Sequence, residues 1–168
     1  MKFKFCPKCG RILEQRYSWD EGSVPYCPVD DVMYFETPKP CIVVAVLKDD
    51  KILLLKQSYI FKNSKVLISG YVCNGESIEE TVYREVREET GITVGDIKYL
   101  GSEYLSSREM IMITFVATYV EGEIIKSKEV EGAYWVNLGD ALEEMFEDEI
   151  GKRVVRKVIK EIEYKRNV

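Results

Sequence analysis

Between Gly70 and Ile92 the chain reads Gly-Tyr-Val-Cys-Asn-Gly-Glu-Ser-Ile-Glu-Glu-Thr-Val-Tyr-Arg-Glu-Val-Arg-Glu-Glu-Thr-Gly-Ile. Glu85, Glu88 and Glu89 stand at i, i+3 and i+4, so a helix crowds them on one face. Like charges at those spacings cost an isolated helix about 0.2–0.5 kcal/mol per pair, a strain that basic neighbours or a bound cation relieve. Hard carboxylate oxygens suit Mg2+ or Mn2+, and those ions in turn bridge phosphate oxygens. The plain alternative is a solvated acidic face neutralised by Arg84 and Arg87. A second constellation lies near the start: Cys6-Pro-Lys-Cys9-Gly10, then Cys27-Pro-Val-Asp30. Three thiolates and a carboxylate oxygen make an acceptable tetrahedral zinc set. Recruitment of Cys41 as the fourth ligand, or loss of the metal with retention of the fold, are the other readings.

Composition narrows the chemistry. The 168 residues include 24 Lys+Arg, 29 Asp+Glu and no histidine, for a formal charge of −5. Without histidine there is no Ser-His or Cys-His nucleophile pair and no imidazole ligand for a metal. Carboxylates, metals, lysines, tyrosines and thiols remain. The acidic balance offers no general attraction to nucleic acid or anionic lipid, so a phosphate-bearing substrate needs cations or local positive groups. The longest apolar run, Cys41 to Leu47, is seven residues, far short of the roughly 18 of a membrane span. The N-terminal residues have no apolar signal core, and five cysteines, an odd number, argue against a closed disulfide framework. A reducing cytoplasm, with no membrane partner, is the expected setting.

The elements that must position these groups follow from the pattern. Residues 1–36 hold three of the five cysteines and little periodicity, and Thr37-Pro-Lys-Pro40 reads as an extended linker to a domain spanning 41–168. Cys41–Leu47 reads as a buried strand, Asp49-Asp50 as a turn, Lys51–Gln57 as its hairpin partner and Val66–Ser69 as a short strand. Ile78, Val82 and Val86 recur at i, i+4 and i+8, predicting a helix over Ser77–Thr90 that Gly91 ends. Strands are expected at Ile92–Tyr104, Met110–Val120 and Ala133–Val136, and a short helix at Asp140–Phe146. The last helix carries the apolar stripe Val154, Val155, Val158, Ile159 and Ile162. Its seven basic residues within 152–166 follow six acidic ones within 140–149, a division read as a solvated face. Strands around one helix with closing helices predict an α/β domain with a mixed sheet.

Taken together, Gly70, Glu76, Arg84-Glu85-Val86, Glu88-Glu89 and Gly91-Ile92 fill all nine specified positions of the signature of the Nudix hydrolases, and the chain resembles that family. The resemblance covers 41 to about 165. It implies an α/β/α sandwich with a mixed sheet, and hydrolysis of the pyrophosphate bond in a nucleoside diphosphate linked to another moiety. It further implies that Glu85 and Glu89 are principal ligands of catalytic Mg2+ or Mn2+, with Glu88 and the backbone of Gly70 or its neighbour completing the set. By the same resemblance Arg84 orients a glutamate, Glu76 braces the loop and Gly91 ends the helix. Glu88 is the first candidate for the carboxylate that takes the proton of the attacking water. An acid outside the signature is the second; Glu129 is the better positional match and Glu131 the next. The first 36 residues resemble a small zinc ribbon, with the zinc structural rather than catalytic. A zinc ribbon before a Nudix domain is similar to the NADH pyrophosphatase branch, which includes enzymes acting on NAD-capped RNA and implies a homodimer. Where that branch carries Ser-Gln-Pro-Trp-Pro-Phe-Pro, this chain has Ser102-Glu-Tyr-Leu-Ser-Ser-Arg108, in which Tyr104 is either a base-stacking ring or an ordinary strand aromatic. The expected function is thus NAD(H)- or ADP-ribose-type hydrolysis. The alternative is a non-catalytic nucleotide-sensing or protein-binding module on the same fold. Cys41 reads as a small buried hydrophobe, and Cys73 has no part in this chemistry.

Overall fold

The computed structural model describes residues 3–125 and 127–166. They form two compact units, one up to Pro38 and one from Lys39 onward.

The first unit is an antiparallel sheet of β1 (Glu14–Ser18), β2 (Gly22–Cys27) and β3 (Val32–Met33), in that order. The turn into β3 contains Asp31 at φ 50° and β2 opens on Gly22 at φ 74°, left-handed conformations that favour glycine or aspartate. Its buried side chains are Cys6, Ser18, Val24 and Cys27, while Ile12, Tyr17 and Trp19 are exposed. So little apolar burial cannot offset the entropy of ordering the chain, and a unit of this size needs a cross-link.

In the second unit, β4 (Lys39–Lys48) is buried from Cys41 to Val46 because both faces of its sheet are covered. Ile42, Val44 and Val46 pack toward α1 (Ile78–Thr90). Cys41, Val43 and Ala45 pack toward α2 (Ala141–Glu144) and α3 (Glu149–Arg166). β5 (Lys51–Lys56) repeats the division, with Leu53 and Leu55 on one side and Ile52 and Leu54 on the other. The sheet runs β10 (Gly132–Asn137), β5, β4, β9 (Met110–Glu121), β8 (Thr93–Leu105), with β6 (Lys65–Val66) on β5 and β7 (Ile68–Tyr71) on β4. β4 and β9 are parallel and every other pair antiparallel. The result is the mixed-sheet α/β/α sandwich expected from the sequence.

Three details differ from the expectation. Lys39 and Pro40 belong to β4 rather than to a linker. The Lys39 N–H donates to the Glu109 carbonyl (3.0 Å) and the Pro40 carbonyl accepts from Val72 N–H (3.1 Å), so proline stands at a strand start, where it is tolerated. The 66–69 strand is two pieces, because the chain leaves β5 for β4 at the buried Leu67. The helix expected over Asp140–Phe146 is a single turn ending at Met145, whose side chain is fully buried. Among the described residues no helix is long and apolar enough to cross a membrane.

Candidate active site

α1 starts where the sequence specifies. The Ser77 hydroxyl accepts from Glu80 N–H (3.2 Å) and the Glu80 carboxylate accepts from Ser77 N–H (2.7 Å), a reciprocal capping box. It stops at Gly91, φ 75°, whose N–H donates to the Arg87 carbonyl (2.9 Å). Val82 and Val86 enter the core, which fixes the rotation of the helix and places Glu85 and Glu89 along the cavity beside β7. Gly70 is what allows that approach. A Cβ built on it would fall 1.9 Å from Glu85 Cδ and 2.0 Å from its Oε1. Gly70→Ala is therefore expected to expel the Glu85 carboxylate and to destabilise the fold by about 1–3 kcal/mol. Urea unfolding and a metal-binding titration of the variant check both effects.

Arg84 is committed to holding this arrangement. Its Nε and Nη2 donate to the two Glu76 oxygens (2.9 and 2.8 Å), Nη1 to Glu85 Oε1 (2.7 Å) and Glu88 Oε2 (3.0 Å), and Nη2 also to the Tyr71 carbonyl (3.0 Å). Glu76 accepts in addition from Cys73 N–H (2.6 Å), so the 71–76 loop is laced to the helix. The Arg84 guanidinium, then the Cys73 N–H, hold the Glu76 carboxyl down at about 2. Only a planar fork spans three carboxylates in this way. Arg84→Lys should detach the loop and lower turnover by about tenfold or more, read by steady-state kinetics at saturating divalent cation.

Glu89 is the unusual group. It is 6% exposed, Gln57 Nε2 donates to its Oε1 (2.8 Å), and its Oε2 has no hydrogen-bond partner among the described residues. Burial first, then the charges of Glu85, Glu129 and Glu88, push its carboxyl up to about 7 against the pull of Gln57. Glu85 is raised as well, by burial, with Arg84 opposing. A buried carboxylate oxygen without a partner is costly as a bare anion and fits a cation ligand. The donor set, oxygens of Glu85 and Glu89 beside the backbone of Gly70, suits a hard divalent ion.

Both glutamates line a cavity of about 690 Å3, and Glu129 lines it too. Glu131 does not; it caps the chain after β5, accepting from Ser58 N–H (3.0 Å) and Ser58 Oγ (2.8 Å). Glu88 sits outside the lining, more than half exposed and paired with Arg84. Tyr104 is exposed on β8 and also lies outside it; the lining aromatics are Tyr59, Phe61 and Tyr71. Cys41 and Cys73 both contribute to the wall. Gln57 escaped the sequence reading, since its link to Glu89 spans 32 positions and no local pattern marks it.

In the first unit the ligand atoms of Cys6, Cys9, Cys27 and Asp30 all lie within 4.8 Å of one another. Cys9 Sγ is 3.6 Å from Cys27 Sγ, and Asp30 Oδ2 is 3.1 and 3.3 Å from the sulfurs of Cys6 and Cys27. Zinc–sulfur bonds of about 2.3 Å at tetrahedral angles separate sulfurs by roughly 3.8 Å, so the cluster has the dimensions of a zinc site. The Tyr34 hydroxyl lies 3.0 Å from Cys6 Sγ, a partner outside the ligand set. Cys41 is not in the cluster; it is buried in β4.

Residues 37–158 match the NUDIX domain model, and the chain belongs to that family. It is 34% identical over 140 residues to the NAD-capped RNA hydrolase NudC of Pseudomonas aeruginosa, covering 83% of this chain and 49% of that protein. With the NudC of Klebsiella pneumoniae the identity is 34% over 138 residues, 82% of this chain and 52% of the relative. The chain thus spans about half the length of these curated relatives. Among solved structures, a NUDIX hydrolase from Nitrosomonas europaea superposes with a TM-score of 0.76 at 19% identity, covering 92% of both chains. A MutT protein from Bacillus halodurans superposes at 0.59 with 29% identity, over 70% of this chain and 80% of that one.

Proposed function

We propose that this protein hydrolyses the pyrophosphate bond of a nucleoside diphosphate linked to another moiety, of the NAD(H) or ADP-ribose type. Mg2+ or Mn2+ would be held by Glu85, Glu89, the Gly70 backbone and, at the rim, Glu88. The observation that carries the reading is Glu89: a buried carboxylate with a bare oxygen, facing the same cavity as Glu85 and Glu129. When bound, the divalent cations offset the charge of the diphosphate and acidify a water. Arg84 Nη1 bridges Glu85 and Glu88 and holds both in place, and Gly70 leaves Glu85 its room. Glu129 is the better proton acceptor, because it lines the cavity whereas Glu88 is tied to Arg84 at the rim. The names of the NudC relatives support the substrate class. NAD-capped RNA is the larger substrate of that class and belongs in the same test. A non-catalytic sensor on the same fold is disfavoured, since the glutamates and their arginine brace are all in place.

The reading includes a structural zinc on Cys6, Cys9, Cys27 and Asp30, a homodimer as the family resemblance implies, and a reducing cytoplasm. None of the five cysteines is joined in a disulfide, in keeping with that setting. The test is a panel of NADH, ADP-ribose, NAD-capped RNA, diadenosine polyphosphates and nucleoside triphosphates with Mg2+ or Mn2+. Mononucleotide release from NADH or ADP-ribose is expected; no release from any diphosphate with either ion contradicts the reading.

A further inference from the structure

The cavity beside α1 has a lopsided charge. Among the described residues, six carboxylates line it, those of Glu85, Glu89, Glu129, Glu147, Asp148 and Glu149, against one cation, Arg108. Arg84, the other guanidinium near the glutamates, does not line the cavity and has its donors engaged. Arg108 makes no hydrogen bond and no ion pair among the described residues. It stands on the 3-10 turn Ser106–Arg108 between β8 and β9. That turn is anchored: Glu109 N–H donates to the Ser106 carbonyl (3.4 Å), and the Glu109 carbonyl accepts from Lys39 N–H (3.0 Å).

The register brings the turn to the glutamate end of the sheet. Lys39 pairs with Met110 and Cys41 with Met112, while on its other edge Cys41 pairs with Tyr71 and Ile42 with Gly70. Cys41 therefore lies between the two groups. Burial pushes its thiol up to about 11, the charge of Glu85 adds to that, and the charge of Arg108 pulls the other way. The wall between them is apolar, with Leu105, Met110, Met112 and Ile150. A cavity with an acidic end, an apolar wall and one unengaged guanidinium is built for a ligand that is both anionic and partly apolar.

We propose that Arg108 is a substrate-binding residue that grips a phosphate oxygen of the nucleoside diphosphate from the β8–β9 turn, while the base or its partner moiety lies along Met110 and Met112. The inference rests on the hydrolase reading and adds to it the group that meets the diphosphate directly. A guanidinium donates two parallel N–H groups to phosphate, and one without a prior partner gives up only water to do so. It also supplies the positive charge that the acidic lining lacks.

Calorimetric titration with ADP and with adenosine, in Mg2+, on the parent, Arg108→Gln and Arg108→Lys tests this. Arg108 has no hydrogen-bond or ion-pair partner among the described residues, so both variants should fold with the parent's thermal midpoint. Arg108→Gln is expected to weaken ADP about tenfold or more while leaving adenosine unchanged, with Arg108→Lys intermediate. In hydrolysis the loss should fall on KM, with kcat altered by less than about threefold. An ADP affinity of Arg108→Gln within about twofold of the parent, or an equal loss for adenosine, overturns the proposal. A parent that binds ADP in an Arg108-dependent way yet cleaves no diphosphate would sink the hydrolase reading and leave this one standing.

Discussion

Glu89→Gln is expected to lower turnover by about a thousandfold or more and, in the metal-free protein, to raise stability at neutral pH. The two effects have one source. The Glu89 carboxyl is buried, one oxygen has no partner among the described residues, and its pKa is pushed up to about 7 from 4.5. Below pH about 4.5 both folded and unfolded chains hold the proton and no stability is lost. As pH rises toward 7 the unfolded chain releases it and the folded one does not, so stability falls across that window and the loss is complete above it. The shift corresponds to roughly 3 kcal/mol at most. Glutamine keeps an acceptor for Gln57 and carries no charge, so the variant should show a flatter profile between pH 4.5 and 8. Urea unfolding in buffer free of magnesium and manganese reads this. A variant as active as the parent removes Glu89 from the mechanism. One whose stability falls with pH as steeply as the parent's removes the buried charge.

Removal of zinc is expected to unfold the first unit and leave the second intact. The first unit buries only a handful of side chains, two of them cysteines of the cluster. Zinc binding of this kind contributes on the order of 10 kcal/mol in comparable small modules, more than such a core supplies. Protein purified without added zinc or chelator should carry about one zinc per chain, and the Cys6→Ser, Cys9→Ser double variant none. After chelation, amides of Arg16 and Val24 should exchange at unfolded rates while those of Val43 and Leu54 keep their protection. Zinc that survives the double substitution, or a chelated first unit that stays protected, defeats the assignment.

What the sequence disclosed was local. Ile78, Val82 and Val86 marked the buried side of α1 and Gly91 its end, because each acts within one or two turns, whereas the capping of Ser77 by Glu80 came to light only in the structure. The mixed-sheet α/β class followed from the order of strands and helices, and the sandwich from the family resemblance; the apolar run of β4 marked only a buried strand. Tertiary partnerships were hidden. Nothing near Gln57 announces that it hydrogen-bonds Glu89, and nothing near Gly70 shows that Glu85 occupies its missing side chain's space. Arg108 joins the cavity only through the pairing of β9 with β4. The strands of the first unit left no alternating pattern, since β1 has a single buried residue with which to write one. The Cys-x-x-Cys spacing was readable there because two ligands fall within one tight turn.

The proposed hydrolysis requires α1 to gather divalent cations where Glu85, Glu89 and the Gly70 backbone meet. Crystals soaked in Mn2+ and a nucleotide product, with anomalous scattering recorded at the manganese edge, test it directly. Manganese peaks are expected between the Glu85 and Glu89 carboxylates, with Glu89 Oε2 among the ligands. Manganese held elsewhere, with those two side chains turned apart, would contradict it.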